Sequence, residues 1–266
     1  MKDFITTEFE NGVGRITFDR PDKRNALTRE MLDRFTRGVD QLPLIDNLRV
    51  LIIQAAGSVF CAGMDLAQMQ ERAVERNREH PWRQDAESFH SAIVSLLDCR
   101  MPTIAAVRGP AIAGGVGLAL ACDIVIAGES TSFVLPEPKR GIAAAMVTPL
   151  LLRRTSPAQA GFVLLGGQSV AAKQAAAMGL CEVVVADAEF DATVQAQVNS
   201  ILECSPHALS TTKQFLNSVG HDELRNALAR AIHVSADARS SEDAREGLDA
   251  FLEKRKPTWV TEDDAM

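Results

Sequence analysis

RGPAIAGGVGLALACDIVIAGESTSFVLPE, the stretch Arg108–Glu137, decides the fold of this chain of 266 residues. Glycine and alanine crowd its first half, and Asp123 is its only charged residue between the opening arginine and Gly128. Glycine permits close backbone approach and positive φ. A Gly114-Gly115 pair that opens an apolar helix leaves backbone N–H groups uncovered, which suits an anion or an oxygen that is becoming one.

Glu137 closes this stretch as an isolated acid behind Pro136. An N–H donor beside one carboxylate is an arrangement that can handle an enolate. Two structural alternatives compete with this interpretation. A membrane-spanning helix is disfavoured by Pro110, Asp123 and the glycines. The alternative that the glycines serve only close packing remains open, because a short glycine motif is a weak signal.

The composition predicts a soluble globular protein, with 46% hydrophobic and 24% charged residues. A formal net charge of -7 disfavours nucleic acids and anionic membranes as partners. The five cysteines form no CxxC pair and the five histidines show no metal spacing, so we expect neither a disulfide framework nor a metal site. The first 20 residues lack a secretory signal, and we expect a cytoplasmic location.

The order of strand and helix patterns predicts an α/β domain followed by helices. Phe4–Glu10 and Gly14–Phe18 alternate around a turn at Asn11, which predicts a hairpin. Beyond about residue 150, a strand pattern persists only at Val183–Val185. Other strands are predicted at Val50–Gln54, Thr103–Val107, Ile124–Ala127 and Ser132–Leu135.

Two longer segments lie between and after these strands. Gln70–Asp85 is the most polar part of the chain and is either a solvated helix or a mobile segment. Within it, Trp82 is either a contact residue over the site or a partly buried anchor. Asp222–Arg255 has the pattern of one long helical stretch.

Four motifs, in this order, resemble the enoyl-CoA hydratase/isomerase (crotonase) superfamily. They are Arg20–Leu27 (RPDKRNAL), Phe60–Leu66 (FCAGMDL), Gly109–Asp123 with its glycine pair, and Pro136–Gly141. The resemblance covers nearly the whole chain. It implies an α/β fold: a crotonase-like spiral of strand–strand–helix units with the active site in residues 1–195. Residues 196–266 would form a C-terminal helical region for oligomerisation and completion of the CoA site.

The resemblance also implies a substrate and a site. The substrate would be an acyl-CoA thioester, with coenzyme A as part of the substrate and no separate cofactor. The backbone N–H groups of Met64 and Gly114 would stabilise the enolate, and Glu137 would be the acid/base. Substrate and CoA contacts would come from Lys23, Arg24, Ala26, Ala62, Gly63, Asp65, Leu66, Gly115, Phe251 and Lys254. The chain would self-associate as a homotrimer or a dimer of trimers, and would serve fatty acid metabolism.

Some of these residues also have ordinary structural explanations. From the sequence alone, Lys23 and Arg24 are better explained as solvated surface charges, and a helix cap explains Asp65 at least as well as a ligand contact does. The Met64 side chain would line the acyl pocket or the core, while its N–H does the chemistry.

Gly117 departs from the pattern of two-glutamate hydratases, since it stands where they carry their first glutamate. Two carboxylates can hold one water for hydration, whereas one suffices to move a proton between carbons. Some hydratases of the methylglutaconyl-CoA type share this glycine. Ala145 counts against dienoyl-CoA isomerases and hydroxyisobutyryl-CoA hydrolases, and the absence of tyrosine excludes members that need one. We therefore predict hydration of a 2-enoyl-CoA, with Δ3,Δ2-enoyl-CoA isomerisation or non-catalytic CoA binding as alternatives.

Overall fold

A tight hairpin starts the large sheet of this computed structural model, which describes residues 4–73 and 81–260. β1 (Ile5–Glu10) and β2 (Val13–Phe18) pair antiparallel along their whole length. Between them Asn11 and Gly12 have φ angles of 50° and 81°. Asparagine and glycine tolerate this left-handed region best, so the predicted hairpin is confirmed and has a local cause.

The remaining strands divide between two sheets. They are β3 (Val50–Ala55), β4 (Thr103–Val107), β5 (Ala111–Ile112), β6 (Ile124–Gly128), β7 (Ser132–Val134), β8 (Ser169–Ala171) and β9 (Val183–Val185). The large sheet has the order β1-β2-β3-β4-β6-β9, and every pair after the hairpin is parallel. The small sheet has the order β5-β7-β8. Parallel pairs require crossover connections, so the predicted α/β class is confirmed.

Helices make most of these connections. They are α1 (Arg29–Gln41), α2 (Leu66–Ala73), α3 (Pro81–Asp98), α4 (Gly114–Ala121), α5 (Thr148–Arg154), α6 (Pro157–Gly166), α7 (Ala172–Ala177), α8 (Phe190–Leu202), α9 (Pro206–Ser218), α10 (His221–Arg239) and α11 (Glu242–Leu252). Short 3-10 turns lie at Pro21–Lys23, Leu42–Leu44 and Glu137–Arg140.

Strand–strand–helix units recur along the chain, as the resemblance implies. β1, β2 and α1 form one unit, and β4, β5 and α4 form another. In the second unit, β4 joins the large sheet while β5 joins the small one. The small sheet therefore lies at the start of α4, where the glycine pair is.

Three features differ from the sequence patterns, and the first is the two-residue strand β5, which was not predicted. β8 was not predicted, because a strand of three residues with only Val170 buried carries little pattern. The helical stretch 222–255 is broken where Ser241 caps α11 by accepting the N–H of Ala244 at 3.1 Å. Trp82 lies in α3 and is only 9% exposed, so the buried-anchor alternative is confirmed. The rest of the polar segment includes residues 74–80, which lie outside the described residues.

The C-terminal helices pack on the core in different ways. α8 covers the large sheet with Phe190 and Val198, which join the cluster around Ile104. α9 is fastened by Lys213, whose Nζ donates to Asp123 Oδ2 at 2.6 Å. The proposed boundary after residue 195 falls inside α8, and the division into two domains stays a prediction.

Asn25 joins the first motif to the second. Its side chain is fully buried, and its Nδ2 donates to the carbonyls of Ala56 and Val59 at 2.9 and 2.7 Å. Its Oδ1 accepts the N–H of Arg20 at 2.8 Å. Because these backbone groups are partly buried, the asparagine holds the loop Arg20–Leu27 against the segment that leads to Phe60.

Replacing Asn25 with alanine should therefore destabilise the protein. We expect Asn25→Ala to lower the free energy of unfolding by roughly 2–4 kcal/mol, since two carbonyls and one N–H lose their partner. Urea unfolding measures the loss. Asn47→Ala is the matched control, because both asparagines have positive φ, 54° at Asn25 and 68° at Asn47, but Asn47 is exposed. Equal losses in the two variants would contradict this role of the buried amide.

Candidate active site

The N–H group of Met64 is left available by the hydrogen bonds of its neighbours. The Leu27 N–H donates to the Gly63 carbonyl at 2.7 Å, and the Asp65 N–H donates to the Leu27 carbonyl at 2.9 Å. These bonds fix residue 64 in a parallel bridge with Leu27. Within the described residues, nothing accepts a hydrogen bond from the Met64 N–H.

Gly114 supplies a second available N–H at the start of α4. The first N–H groups of a helix lack an intrahelical acceptor, and no described residue supplies one for Gly114. The preceding Ala113 has φ 51° and ψ −119°, which costs a non-glycine residue roughly 1–3 kcal/mol. Its N–H donates to the Val134 carbonyl of β7 at 2.8 Å, so the small sheet holds the strained residue in place.

The glycines around these amides permit close contact between two segments. A Cβ at Gly63, where φ is +81°, would lie 2.8 Å from the Cβ of Ala113. A Cβ at Gly115 would lie 2.5 Å from the carbonyl oxygen of Cys61. Both distances are too short for real atoms, so packing explains both glycines. The ligand contacts predicted for Gly63 and Gly115 stay predictions.

Glu137 opens the 3-10 turn Glu137–Arg140, which is capped by Gly141, whose φ of 65° lets the chain turn away. Its Oε2 atom is buried and has no hydrogen-bond partner among the described residues. Burial raises the pKa of the carboxyl to about 7, although a backbone hydrogen bond and the positive charges of Arg239 and Arg140 act in the opposite direction. A carboxyl with this pKa can both accept and return a proton near neutral pH.

The last helix of the same chain holds the turn that carries Glu137. A Cβ at Gly247 of α11 would overlap the backbone of Arg140, so the helix and the turn touch directly. The Arg140 guanidinium lies 4.1 Å from the ring centroid of Phe251, a distance typical of a cation–π contact. The position of the carboxyl therefore depends on the C-terminal helix.

Gly117 faces aromatic and aliphatic side chains. A Cβ at this position would lie 3.1 Å from Phe89 Cζ and 3.3 Å from Val147 Cγ2. Phe89 also lies 3.0 Å from the position of a Cβ at Gly114. The space beside Gly117 is therefore filled by apolar groups of α3 and the start of α5.

A cavity of about 60 Å³ brings these parts together. The predicted site residues that line it are Ala62, Met64, Leu66, Gly114 and Glu137. The other lining groups are mostly apolar, apart from three polar side chains, which belong to Arg140, Ser235 and Arg239.

Thiol and metal chemistry find little support at this site. Burial raises the pKa of the Cys61 thiol to about 12, so it is protonated near neutral pH and a poor nucleophile. Within residues 4–73 and 81–260, no cluster of three or more His, Cys, Asp or Glu could hold a metal ion.

In the same ranges, no helix has both the length and the apolar character of a membrane span.

Comparison with known proteins decides the family. A family model described as enoyl-CoA hydratase/isomerase matches residues 8–262. The 1,2-epoxyphenylacetyl-CoA isomerase of Escherichia coli is 35% identical over 264 residues, covering 98% of this chain and 99% of that protein. The chain belongs to the enoyl-CoA hydratase/isomerase family. Substrates of this family are acyl-CoA thioesters.

Further relatives agree on the family but differ in name. The mitochondrial enoyl-CoA hydratase domain-containing protein 3 of Danio rerio is 33% identical over 267 residues, covering 98% of this chain and 89% of that protein. The crystal structure of an enoyl-CoA hydratase from Mycobacterium avium superimposes with a TM-score of 0.86 at 30% identity, covering 98% of this chain and all of that one. Both hydratase and isomerase names therefore occur among similar proteins.

The loop predicted to bind CoA in this family member is braced by its backbone. The Ala62 N–H donates to the Arg24 carbonyl at 3.0 Å, and Arg20 Nη1 donates to the Ala26 carbonyl at 3.0 Å. The side chains of Lys23 and Arg24 are exposed. This leaves two cations on the surface beside the motif FCAGMDL, and their contact with CoA stays a prediction.

Asp65 uses both carboxylate oxygens within the protein. Oδ1 caps α2 by accepting the N–H of Ala67 at 3.0 Å, and Oδ2 accepts from Arg20 Nη1 at 2.5 Å. The cap that sequence reasoning offered as an alternative is present. A ligand contact by Asp65 stays a prediction.

Phe251 and Lys254 lie at the end of α11. Phe251 is 47% exposed although its ring packs on Arg140 of the same chain. Lys254 follows the helix in the left-handed region, with φ 57°, and is exposed. Their role in a neighbouring copy's CoA site stays a prediction.

Among the described lining residues, sequence reasoning missed the aromatic side chain and every polar side chain except that of Glu137. Arg140 lies three positions after Glu137 in the motif Pro136–Gly141, so it could have been identified from the sequence. Phe89, Ser235 and Arg239 lie on α3 and α10, which pack against each other. Nothing in their local sequence indicates that these helices bring them to the cavity.

Proposed function

We propose that this protein is an enoyl-CoA isomerase that moves one proton between two carbons of a bound thioester. The observation that carries the proposal is the apolar wall at Gly117, formed by Phe89 and Val147. Glu137 is then the only carboxylate among the described residues that line the cavity. A single acid/base suits proton transfer better than the two-carboxylate positioning of water.

The reaction follows from the groups present. The Glu137 carboxylate removes a proton from C2 of a 3-enoyl-CoA, and the electron pair moves onto the thioester oxygen. The N–H groups of Met64 and Gly114 stabilise the resulting dienolate. The protonated Glu137 then delivers the proton to C4, and the double bond forms between C2 and C3. A carboxyl pKa of about 7 supports both half-steps near neutral pH.

Hydration of a 2-enoyl-CoA, the activity predicted first from the sequence, is the second candidate. Similar proteins named enoyl-CoA hydratase favour it. It would need a partner for Glu137 in holding water, and the buried Ser235 is a hydroxyl in the lining. Non-catalytic CoA binding is disfavoured, because a carboxylate that only occupied space would gain nothing from its desolvated position.

Assays on one pair of substrates separate these candidates. We expect the wild type to convert a short 3-enoyl-CoA into its 2-enoyl isomer and, when given the 2-enoyl-CoA, to form little 3-hydroxyacyl-CoA. Glu137→Gln keeps the shape but cannot carry the proton, so turnover should fall by about 10²–10⁴-fold. Chromatography of the CoA esters measures both products.

Glu129→Gln is the control for this experiment, because Glu129 is exposed outside the cavity. It should turn over like the wild type. Formation of 3-hydroxyacyl-CoA without isomerisation would replace the proposal with hydration. Full activity in Glu137→Gln would rule out both.

We also propose self-association through the exposed apolar side chains of α5, α6 and α9. Leu165 of α6 is 84% exposed, and Phe215 of α9 is 73% exposed. Single exposed apolar residues are ordinary, but several on adjoining helices are typical of an interface. Others in the same region are Leu152, Phe162, Leu216 and Val219.

Light scattering of matched variants tests the association. The wild type should have the mass of three or six chains, and Leu165→Glu should give smaller species because it buries a charge in the interface. Leu44→Glu is the control, since Leu44 is 81% exposed in the turn after α1 and should keep the wild-type mass. A monomeric wild type at micromolar concentration would contradict the proposal.

A further inference from the structure

Arg239, the last residue of α10, presents its guanidinium to the cavity that holds Glu137. Its Nε is buried, and no described residue accepts a hydrogen bond from it. A guanidinium carries five N–H donors in a fixed plane. Among the described residues, a partly buried cation with unused donors therefore lies beside the reacting carboxyl.

Nearby acids are engaged elsewhere or have another task. Asp85 is buried, forms an ion pair with Arg29 Nε and also acts on Arg239 through its charge. Glu137 acts on Arg239 only through its charge, without a hydrogen bond. Arg140 lies over the Phe251 ring. The described residues that line the cavity therefore include two guanidinium groups and one carboxylate, an excess of one positive charge even when Glu137 is ionised.

An apolar acyl chain would fit this wall poorly. It would cover Arg239 and remove water from its donors without offering an acceptor, which is costly for a charged group. A carboxylate is the natural partner, because its two oxygens match the guanidinium in a bidentate pair. Ile142 and the alanines at positions 143–145 line the same cavity and suit the short methylene chain between the two ends of a diacid.

We infer that the acyl group of the substrate carries a second carboxylate and that Arg239 binds it. The substrate class is then a CoA monothioester of a short dicarboxylic acid. This inference deepens the proposed function and rests on it only in requiring an acyl-CoA ligand. It does not depend on whether the reaction is isomerisation or hydration.

Binding of unreactive thioesters tests the inference independently of turnover. Glutaryl-CoA and pentanoyl-CoA have acyl chains of equal length and differ in a terminal carboxylate or methyl group. By calorimetry, the wild type should bind glutaryl-CoA about 10–100-fold more tightly, as expected for a hydrogen-bonded charge pair. In Arg239→Gln this ratio should fall to one or below, because Glu137 then repels the second carboxylate.

Arg230→Gln removes the same charge from the exposed surface of the same helix and should keep the wild-type ratio. Equal affinities of the wild type for the two thioesters would overturn the inference. An unchanged affinity ratio in Arg239→Gln would also overturn it, and would leave Arg239 as a positioning residue for Glu137 only. If Arg239→Gln fails to fold, the affinity ratio of the wild type and the same ratio measured in Arg239→Lys test the inference instead. CoA binding without discrimination overturns only this inference, whereas no binding of CoA or either thioester overturns the proposed function as well.

Discussion

One desolvated carboxyl, that of Glu137, is the constraint on which the rest of the site depends. Burial raises its pKa to about 7 even though Arg239 and Arg140 favour the ionised form. Burying an ionisable carboxyl costs free energy, so its surroundings must be rigid enough to keep water away from it. The last helix, α11, supplies part of that surrounding by packing on the turn that carries the carboxyl.

A second constraint is the strained backbone in front of α4. Ala113 is held at positive φ by its hydrogen bond to Val134, so the small sheet stabilises a conformation that alanine rarely adopts. As a result, no described residue accepts a hydrogen bond from the Gly114 N–H, which lies beside the segment that carries Met64. The large sheet therefore forms the core, whereas the small sheet positions the backbone N–H of Gly114.

Features with local causes could be predicted from the sequence. The turn at Asn11 and the helix opened by Gly114 depend on residues a few positions away, and both are present. The isolation of Glu137 in an apolar segment was also visible in the sequence. The pKa of its carboxyl is raised by burial, and the local sequence only suggests that this side chain is buried.

Features made by distant segments could not be predicted. Phe89 fills the space beside Gly117 only because α3 packs on α4, and this contact changes the favoured activity. Arg239 reaches the cavity only because α10 packs on α3. In a helical pattern such residues resemble any other aromatic or charged side chain.

The central claim is that a single carboxyl, with a pKa near neutrality, takes the proton from the thioester. The pH dependence of kcat/KM for conversion of a 3-enoyl-CoA tests it most directly, because that profile reports the free enzyme. Glu137 must be ionised to act as the base, so kcat/KM should rise with pH, reach half its maximum near the carboxyl pKa of about 7 and then level off. A profile already level at pH values of about 5 and above, as expected for an ordinary solvated carboxylate, would contradict the account.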